Sequence, residues 1–450
     1  MPESGQLTLR RGGELLTEGD LSSRELTEAI LRRIDETEPL VHAYAHVMAE
    51  QALAAAVRAD EERARGESRG PLHGLPFAVK DVFWTHDAPT EAGSRLLRGF
   101  VPARDARAVE ALRRGGAVLV GKLTTHEFCC SQDVPTTRNA WNVADYPGGS
   151  SAGAGASVAV GSTLAALGTD AGGSVRKPAS LNGVVGLKPT YGLLDMDGVF
   201  VVAPSVDHVG IVNRTVEDCR LVLAELTGRV EPEANGTRLQ EARLGVVREC
   251  FGDELEPDVG AVVSEALAEL ARLGATLVPL SLPSLELTLP VGLTILVAEA
   301  AAVHHRPLRE TPEGYGPETR RMLELGALLP AAYVESAQRA RALLCAEVGA
   351  AFRDERLDGL VTPTLPRTSM PIEEMVIDRD LPRYIRYTLP ANLTGLPALS
   401  VPCGFTPVGL PVGLQLVGRT HTEATLLALG GDYERATPWH ERRPELATAV

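Results

Sequence analysis

The sequence holds 450 residues, 44% of them hydrophobic and 23% charged, with a formal charge of −15 at neutral pH. That balance belongs to a globular chain with a substantial core and excludes a general basic surface for nucleic acid or another polyanion. The length fits two or three average domains or one large α/β domain. No run reaches the roughly 18 uninterrupted apolar residues of a membrane span, and the opening MPESGQLTLRRGG lacks the apolar region of a signal peptide. The expectation is a cytoplasmic protein with neither a membrane nor a nucleic-acid partner.

In chain order, Ser22 and Glu25 have capping-box spacing, and Leu26, Ile30, Leu31 and Ile34 follow them on a helical stripe. A second helix is predicted over 50–65. Leu75–Asp81 reads as a short buried strand ending in charge, 106–114 as a helix, and 117–120 as a strand ending at Gly121-Lys122. Part of a helix is predicted over 157–161 and a buried strand over 184–187. A helix over 215–226, a strand over 244–247, a helix over 259–273 closed by Gly274 and a strand over 276–280 come next. Helices fill 317–352. They are followed by strands at 359–362, 398–401 and 412–417 and a helix over 422–434. Strands alternating with helices predict an α/β fold, a mostly parallel or mixed sheet covered on both faces. No repeat, low-complexity linker or charge block marks a boundary, so one domain over 8–446 is expected. Its parts are N-terminal helices over 21–70, a core over 72–225 and the rest of the sheet with its covering helices over 240–446.

The six cysteines are scattered apart from Cys129-Cys130 and form no C-x-x-C, and the ten histidines contain no H-E-x-x-H. No metal and no organic cofactor is expected. The basic residues are more telling. Among 44 there are four lysines, Lys80, Lys122, Lys177 and Lys188, all between positions 80 and 188. Arginine keeps its proton whereas a buried lysine can lose it and act as a base, so this segment is where a general base is to be sought.

The same segment contains two serine-bearing glycine turns, Gly148-Gly149-Ser150-Ser151 and Gly172-Gly173-Ser174, flanking a run of small and apolar residues. Glycine lets a backbone turn sharply and lets a ligand approach it closely. Gly149-Ser150-Ser151-Ala152-Gly153 formally matches the G-x-S-x-G nucleophile elbow, but 142–147, ending in Tyr146-Pro147, makes a poor strand to precede one. Neither turn has the G-K-[ST] ending of a phosphate loop.

The run Gly168-Thr169-Asp170-Ala171-Gly172-Gly173-Ser174-Val175-Arg176-Lys177-Pro178 resembles the core of the amidase signature family. So do Pro147–Ser151 upstream and Gly183–Gly192 downstream, and the similarity runs from Leu21 to His440 through Gly74–Asp81, Thr394–Pro397 and Gly409–Gln415. The resemblance implies a large mixed sheet between layers of helices and cleavage of C–N acyl bonds by a Ser–cis-Ser–Lys triad. Carried over by motif, Ser174 is the nucleophile, Ser150 the relay in a cis peptide and Lys80 the base. The backbone N–H groups of Ala171, Gly172, Gly173 and Ser174 form the oxyanion hole. The chemistry is coherent: a serine hydroxyl needs a neighbouring base, and burial near polar donors lets lysine serve. Lys122, which also follows a strand, is the rival base, and the resemblance makes it structural. Ser151, Thr169, Asp170 and Arg176 are expected to support the turns.

Two departures stand out: Ala152 where the family usually has glycine, and Ala171 where threonine is common. The apolar Val199-Phe200-Val201-Val202 predicts that Phe200 and Val201, with Cys129, line a pocket for a hydrophobic amide, aryl amide or carbamate (urethane). An SNLxRYDG-like segment is lacking after Glu299, where His304-His305-Arg306 stands; this counts against a tRNA-dependent amidotransferase subunit, the alternative reading beside a scaffold that has lost its chemistry. The expectation is a self-contained amidase acting on a small-molecule amide or carbamate as a monomer or homodimer.

Overall fold

Eleven strands run through the described residues: β1 (Tyr44–Val47), β2 (Pro76–Lys80), β3 (Val118–Leu123), β4 (Ala165–Thr169), β5 (Val185–Lys188), β6 (Val209–Asn213), β7 (Arg243–Val247), β8 (Thr276–Leu280), β9 (Gly359–Pro363), β10 (Ala398–Phe405) and β11 (Pro411–Val417). In this computed structural model, which describes residues 7–130, 134–229 and 238–446, they form one mixed sheet in the order β1-β3-β2-β4-β6-β5-β10-β11-β9-β7-β8. β3, β2 and β4 run parallel, as do β9, β7 and β8; the strands between them pair antiparallel, and so does β1 at the edge.

Every residue of β2 through β6, β9 and β11 is buried. Successive side chains of a strand point to opposite faces, so both faces of the sheet are covered, and the strands read as continuous apolar runs rather than alternating ones. Exposed strand residues are confined to the two edges, β1 and β8. The covering helices include Ser23–Val41, Ala152–Val160, Arg176–Asn182, Val216–Thr227, Pro257–Arg272 and Glu423–Ala436. The first begins at a complete capping box, with Ser22 Oγ accepting from the Glu25 N–H and Glu25 accepting from the Ser22 N–H, and buries Leu26, Ile30 and Ile34.

β3 does not end at Gly121-Lys122 as predicted but runs on to Leu123. The charge stays inside because Lys122 Nζ lies 3.0 Å from Asp81 and also donates to Thr90 Oγ1 and the Pro89 carbonyl. A paired ammonium does not terminate a buried strand. The stretch Pro283–Val303 is by length and composition apolar enough to cross a membrane. Within it the helix Thr288–Val303 packs on Pro317–Ala327 and Ala331–Asp354.

The helix Ala152–Val160 is built of small residues for a steric reason. All nine are buried; a Cβ on Gly153 would stand 2.3 Å from the Ala43 carbonyl oxygen, and one on Gly155 2.6 Å from that of Pro178. The helix thus starts pressed against two backbones, which fixes the position of the serine turn that precedes it. Gly153→Ala should lower stability by about 1–3 kcal/mol, the range for overpacking a tight core, read as a reduced urea midpoint at an unchanged slope.

Candidate active site

β2 and β4 are parallel neighbours, Val79 standing opposite Leu167, so their carboxyl ends lie together. Ligand sites in open α/β sheets gather outside such ends. β2 ends at Lys80, which is fully buried and donates to Ser150 Oγ and Thr169 Oγ1, both at 2.8 Å. Among the described residues its partners are hydroxyls only, where Lys122 has a carboxylate. The Gly149–Ser150 peptide is cis. Gly148 has φ +82°, and a Cβ there would meet Pro178 Cα at 2.7 Å, so the serine turn is seated directly on the next helix.

β4 leads into the second turn. From Asp145 to Thr190 every residue is buried except Ser174. Ser174 Oγ makes no hydrogen bond among the described residues and faces a cavity of about 120 Å³ that Ser150 also lines. Ala171 and Gly172 line it too, and their N–H groups, like that of Ser174, have no backbone or side-chain acceptor among the described residues. Gly173 differs from expectation. Its N–H donates to Asp170 Oδ1 at 2.7 Å, and at φ +105° a Cβ would meet Thr388 Oγ1 at 2.1 Å. This N–H is turned into the protein, which leaves three of the four, not all, without an acceptor among the described residues.

The turn is held from behind by a fully buried ion pair. Arg176 Nη2 and Nε reach Asp170 at 2.9 and 3.1 Å. Asp170 also accepts from the Val175 N–H and the Asn392 amide, while Arg176 donates to the Thr388 carbonyl, Gln415 and Asn392. Burial alone raises the Asp170 carboxyl; the Arg176 charge and hydrogen bonds, with the Asn392 amide, override it and hold the group far below the usual carboxylate range. Ser151 Oγ donates to the Thr169 carbonyl at 3.1 Å. All four expected supporting residues therefore surround the turns.

Of the three expected pocket residues, Cys129 lines the cavity. Phe200 and Val201 do not; Val202 does. The Phe200 ring is drawn instead into an aromatic cluster with Trp84, Phe100 and Phe128, at centroid separations of 6.2–6.3 Å. The apolar wall comes from residues unpredicted by sequence: Leu293, Leu296 and Val297 on the helix Thr288–Val303, Met322 on Pro317–Ala327, and Ile385 beyond. Tyr146 and Lys177 also line the cavity. A larger cleft of about 360 Å³ elsewhere is lined by Arg58, Glu62, Arg69, His73 and Arg113 and contains none of the candidate residues. Among the described residues one group could ligate a cation, His86, Asp87 and Asp105, but Arg113 already bridges the two carboxylates.

A family model described as Amidase matches residues 25–427. The chain belongs to the amidase family. A curated relative, a glutamyl-tRNA(Gln) amidotransferase subunit from Chloroflexus aggregans, is 40% identical over an alignment of 492 positions covering 100% of both chains. Among solved structures, one described as an amidase superposes with a TM-score of 0.88 at 35% identity, covering 95% of this chain and 99% of that one. The native peptide amidase of Stenotrophomonas maltophilia does so at 0.86 and 30%, covering 98% and 99%. The amidase fold, an α/β architecture around a large mixed sheet, is thus shared with these solved enzymes.

In this member of the family the Asp170–Arg176 pair is the most exacting feature of the site. Arg176→Met leaves an unpaired buried carboxylate and should cost about 3–5 kcal/mol in urea unfolding. Ser174→Ala, at the one partly exposed position, should stay within about 0.5 kcal/mol of the parent.

Proposed function

We propose that the chain cleaves amide-type C–N bonds through an acyl-enzyme on Ser174. The observation that supports this most directly is the meeting at one cavity of a Lys80–Ser150 hydrogen bond, the singly accessible Ser174 and three unengaged N–H groups. Ser174 Oγ attacks the substrate carbonyl carbon as its proton passes to Ser150, whose own hydroxyl proton moves to Lys80 Nζ, the base of the relay. The N–H groups of Ala171, Gly172 and Ser174 receive the developing oxyanion, where one well-placed donor is worth about 3–4 kcal/mol. Collapse breaks the C–N bond, and Ser150 returns a proton to the leaving nitrogen. Water then attacks the acyl-Ser174 carbonyl by the same relay in reverse, releasing the acid.

The apolar wall of Leu293, Leu296, Val297, Met322 and Ile385 supports a substrate with a hydrophobic body, an aryl amide or an aryl carbamate. Residues 8–446 act in this reading as one domain, as monomer or homodimer, with no cofactor. A second reading, one component of an amidotransferase, is favoured by the name of the curated relative. It predicts that the chain co-purifies with a partner and hydrolyses little by itself.

Both readings meet in one set of measurements. The purified chain should be labelled by a fluorophosphonate, and Ser174→Ala should abolish that labelling. Lys80→Met should lower kcat by at least about a hundred-fold, within the range for losing general-base catalysis. Turnover of p-nitroanilides or aryl carbamates by the isolated chain supports the hydrolase; activity that arises only with a partner supports the amidotransferase. Absence of labelling with both serines intact would leave a catalytically silent fold.

A further inference from the structure

The cavity beside Ser174 is walled largely by hydrocarbon, yet it contains a lysine. Lys177 stands in the first turn of the helix Arg176–Asn182, is 7% exposed and lines the cavity. The other three lysines each have acceptors: Ser150 and Thr169 for Lys80, Asp81 and Thr90 for Lys122, the Pro189 carbonyl for Lys188. The Lys177 side chain has no hydrogen bond and no ion pair among the described residues. Its one nearby opposite charge, Asp170, is fully engaged by Arg176, Asn392 and backbone N–H groups, and Arg176 lies on the like-charged side of the balance. Burying an ammonium without an acceptor is costly, and proteins rarely leave one so placed unless something completes it.

A second residue lining the cavity also carries a donor without a partner among the described residues. Tyr146 is fully buried, lines the cavity, and its hydroxyl has no partner among the described residues. One cationic and one neutral donor, both without acceptors and both on a cavity of about 120 Å³, call for a compact acceptor with two oxygens and a negative charge. A carboxylate has that chemistry. The small volume puts it within a few bonds of the carbonyl that Ser174 would attack.

We propose that Lys177 and Tyr146 form an anion subsite, which selects amides carrying a carboxylate close to the scissile bond. This rests on the reading of Ser174 as the acylated residue and adds the class of substrate to it. Burial, opposed by Asp170 and assisted by Lys80 and Arg176, pulls the Lys177 ammonium down to about 8, so at neutral pH it remains mostly charged. The subsite and the hydrocarbon wall are compatible: the wall takes the body of the substrate, and the two donors fix which end enters.

The test uses two matched p-nitroanilides, the succinyl compound with a free carboxylate and the neutral butyryl compound. The full chain should favour the succinyl substrate in kcat/KM by ten-fold or more, chiefly through KM. Lys177→Met should reduce kcat/KM for the succinyl substrate at least ten-fold more than for the butyryl one, and Tyr146→Phe should act in the same direction by a smaller factor. Equal losses on both substrates, or no preference in the parent, would overturn the subsite. Binding of N-phenylsuccinamate to Ser174→Ala, followed by calorimetry, separates this from the chemistry. Binding that weakens ten-fold on adding Lys177→Met upholds the subsite even if no anilide is turned over. Binding indifferent to Lys177 removes it even if hydrolysis proceeds.

Discussion

The Asp170–Arg176 pair organises the site because it joins parts of the chain that the sheet alone would leave independent. Asp170 receives the N–H groups of Gly173 and Val175, which bends the backbone so that Gly173 faces inward and Ala171, Gly172 and Ser174 face the cavity. Arg176 carries the same constraint outward to Thr388 and Asn392, and to Gln415 of β11. A buried ion pair is weak evidence for net stability, since desolvation offsets much of its attraction. Its consequence here is geometric. Each charge is bonded on several sides, so the turn has one arrangement in which all these donors and acceptors are satisfied.

The lysines show how the chain divides labour among like residues. Lys122 is neutralised by Asp81 and held by Thr90 and the Pro89 carbonyl, an arrangement that locks it in place. Lys80, one strand away, is surrounded by hydroxyls, which can both accept a proton and pass one on. Lys177 has neither kind of partner among the described residues. Three amino groups in one small region, of similar burial, thus differ in the one property that matters for chemistry, the acceptors around them.

Much of this was legible in the sequence where the signal is local. The capping box at Ser22 and Glu25, the strand ending at Lys80 and the two glycine turns depend on neighbours within a few residues, and the motifs placed the serines and the lysine at one site. Three kinds of feature were not legible. β4 and β6 contain Gly168 and Gly210, which Ser151 and Val175 crowd, so small residues there record tertiary packing and hide the strand pattern. The direction of the Gly173 N–H follows from Asp170, three residues back, and is invisible without the turn's geometry. The apolar run at 199–202 led to Phe200 and Val201, which do not line the cavity, while its neighbour Val202, not singled out, does; an aromatic cluster from distant segments holds the Phe200 ring elsewhere.

The least legible part is the cavity wall, and the reason bears on how such a fold can change substrates. The groups proposed to do the chemistry lie between 80 and 182, whereas Leu293, Leu296, Val297, Met322 and Ile385 come from helices more than a hundred residues later. The two halves meet at several polar contacts: Thr388 donates to the Gly172 carbonyl and accepts, through its own carbonyl, from Arg176, and Asn392 accepts from Arg176 and donates to Asp170. Thr388 therefore holds the wall in register with the turn while the wall's side chains remain a matter of hydrocarbon packing, which tolerates exchange at constant volume. Substitutions in the wall would reshape the space for the substrate's body without disturbing the ion pair. Lys177 sits on the other side of that division, within the helix that Arg176 begins, so the cationic side chain proposed to select the substrate belongs to the same rigid element that follows Ser174.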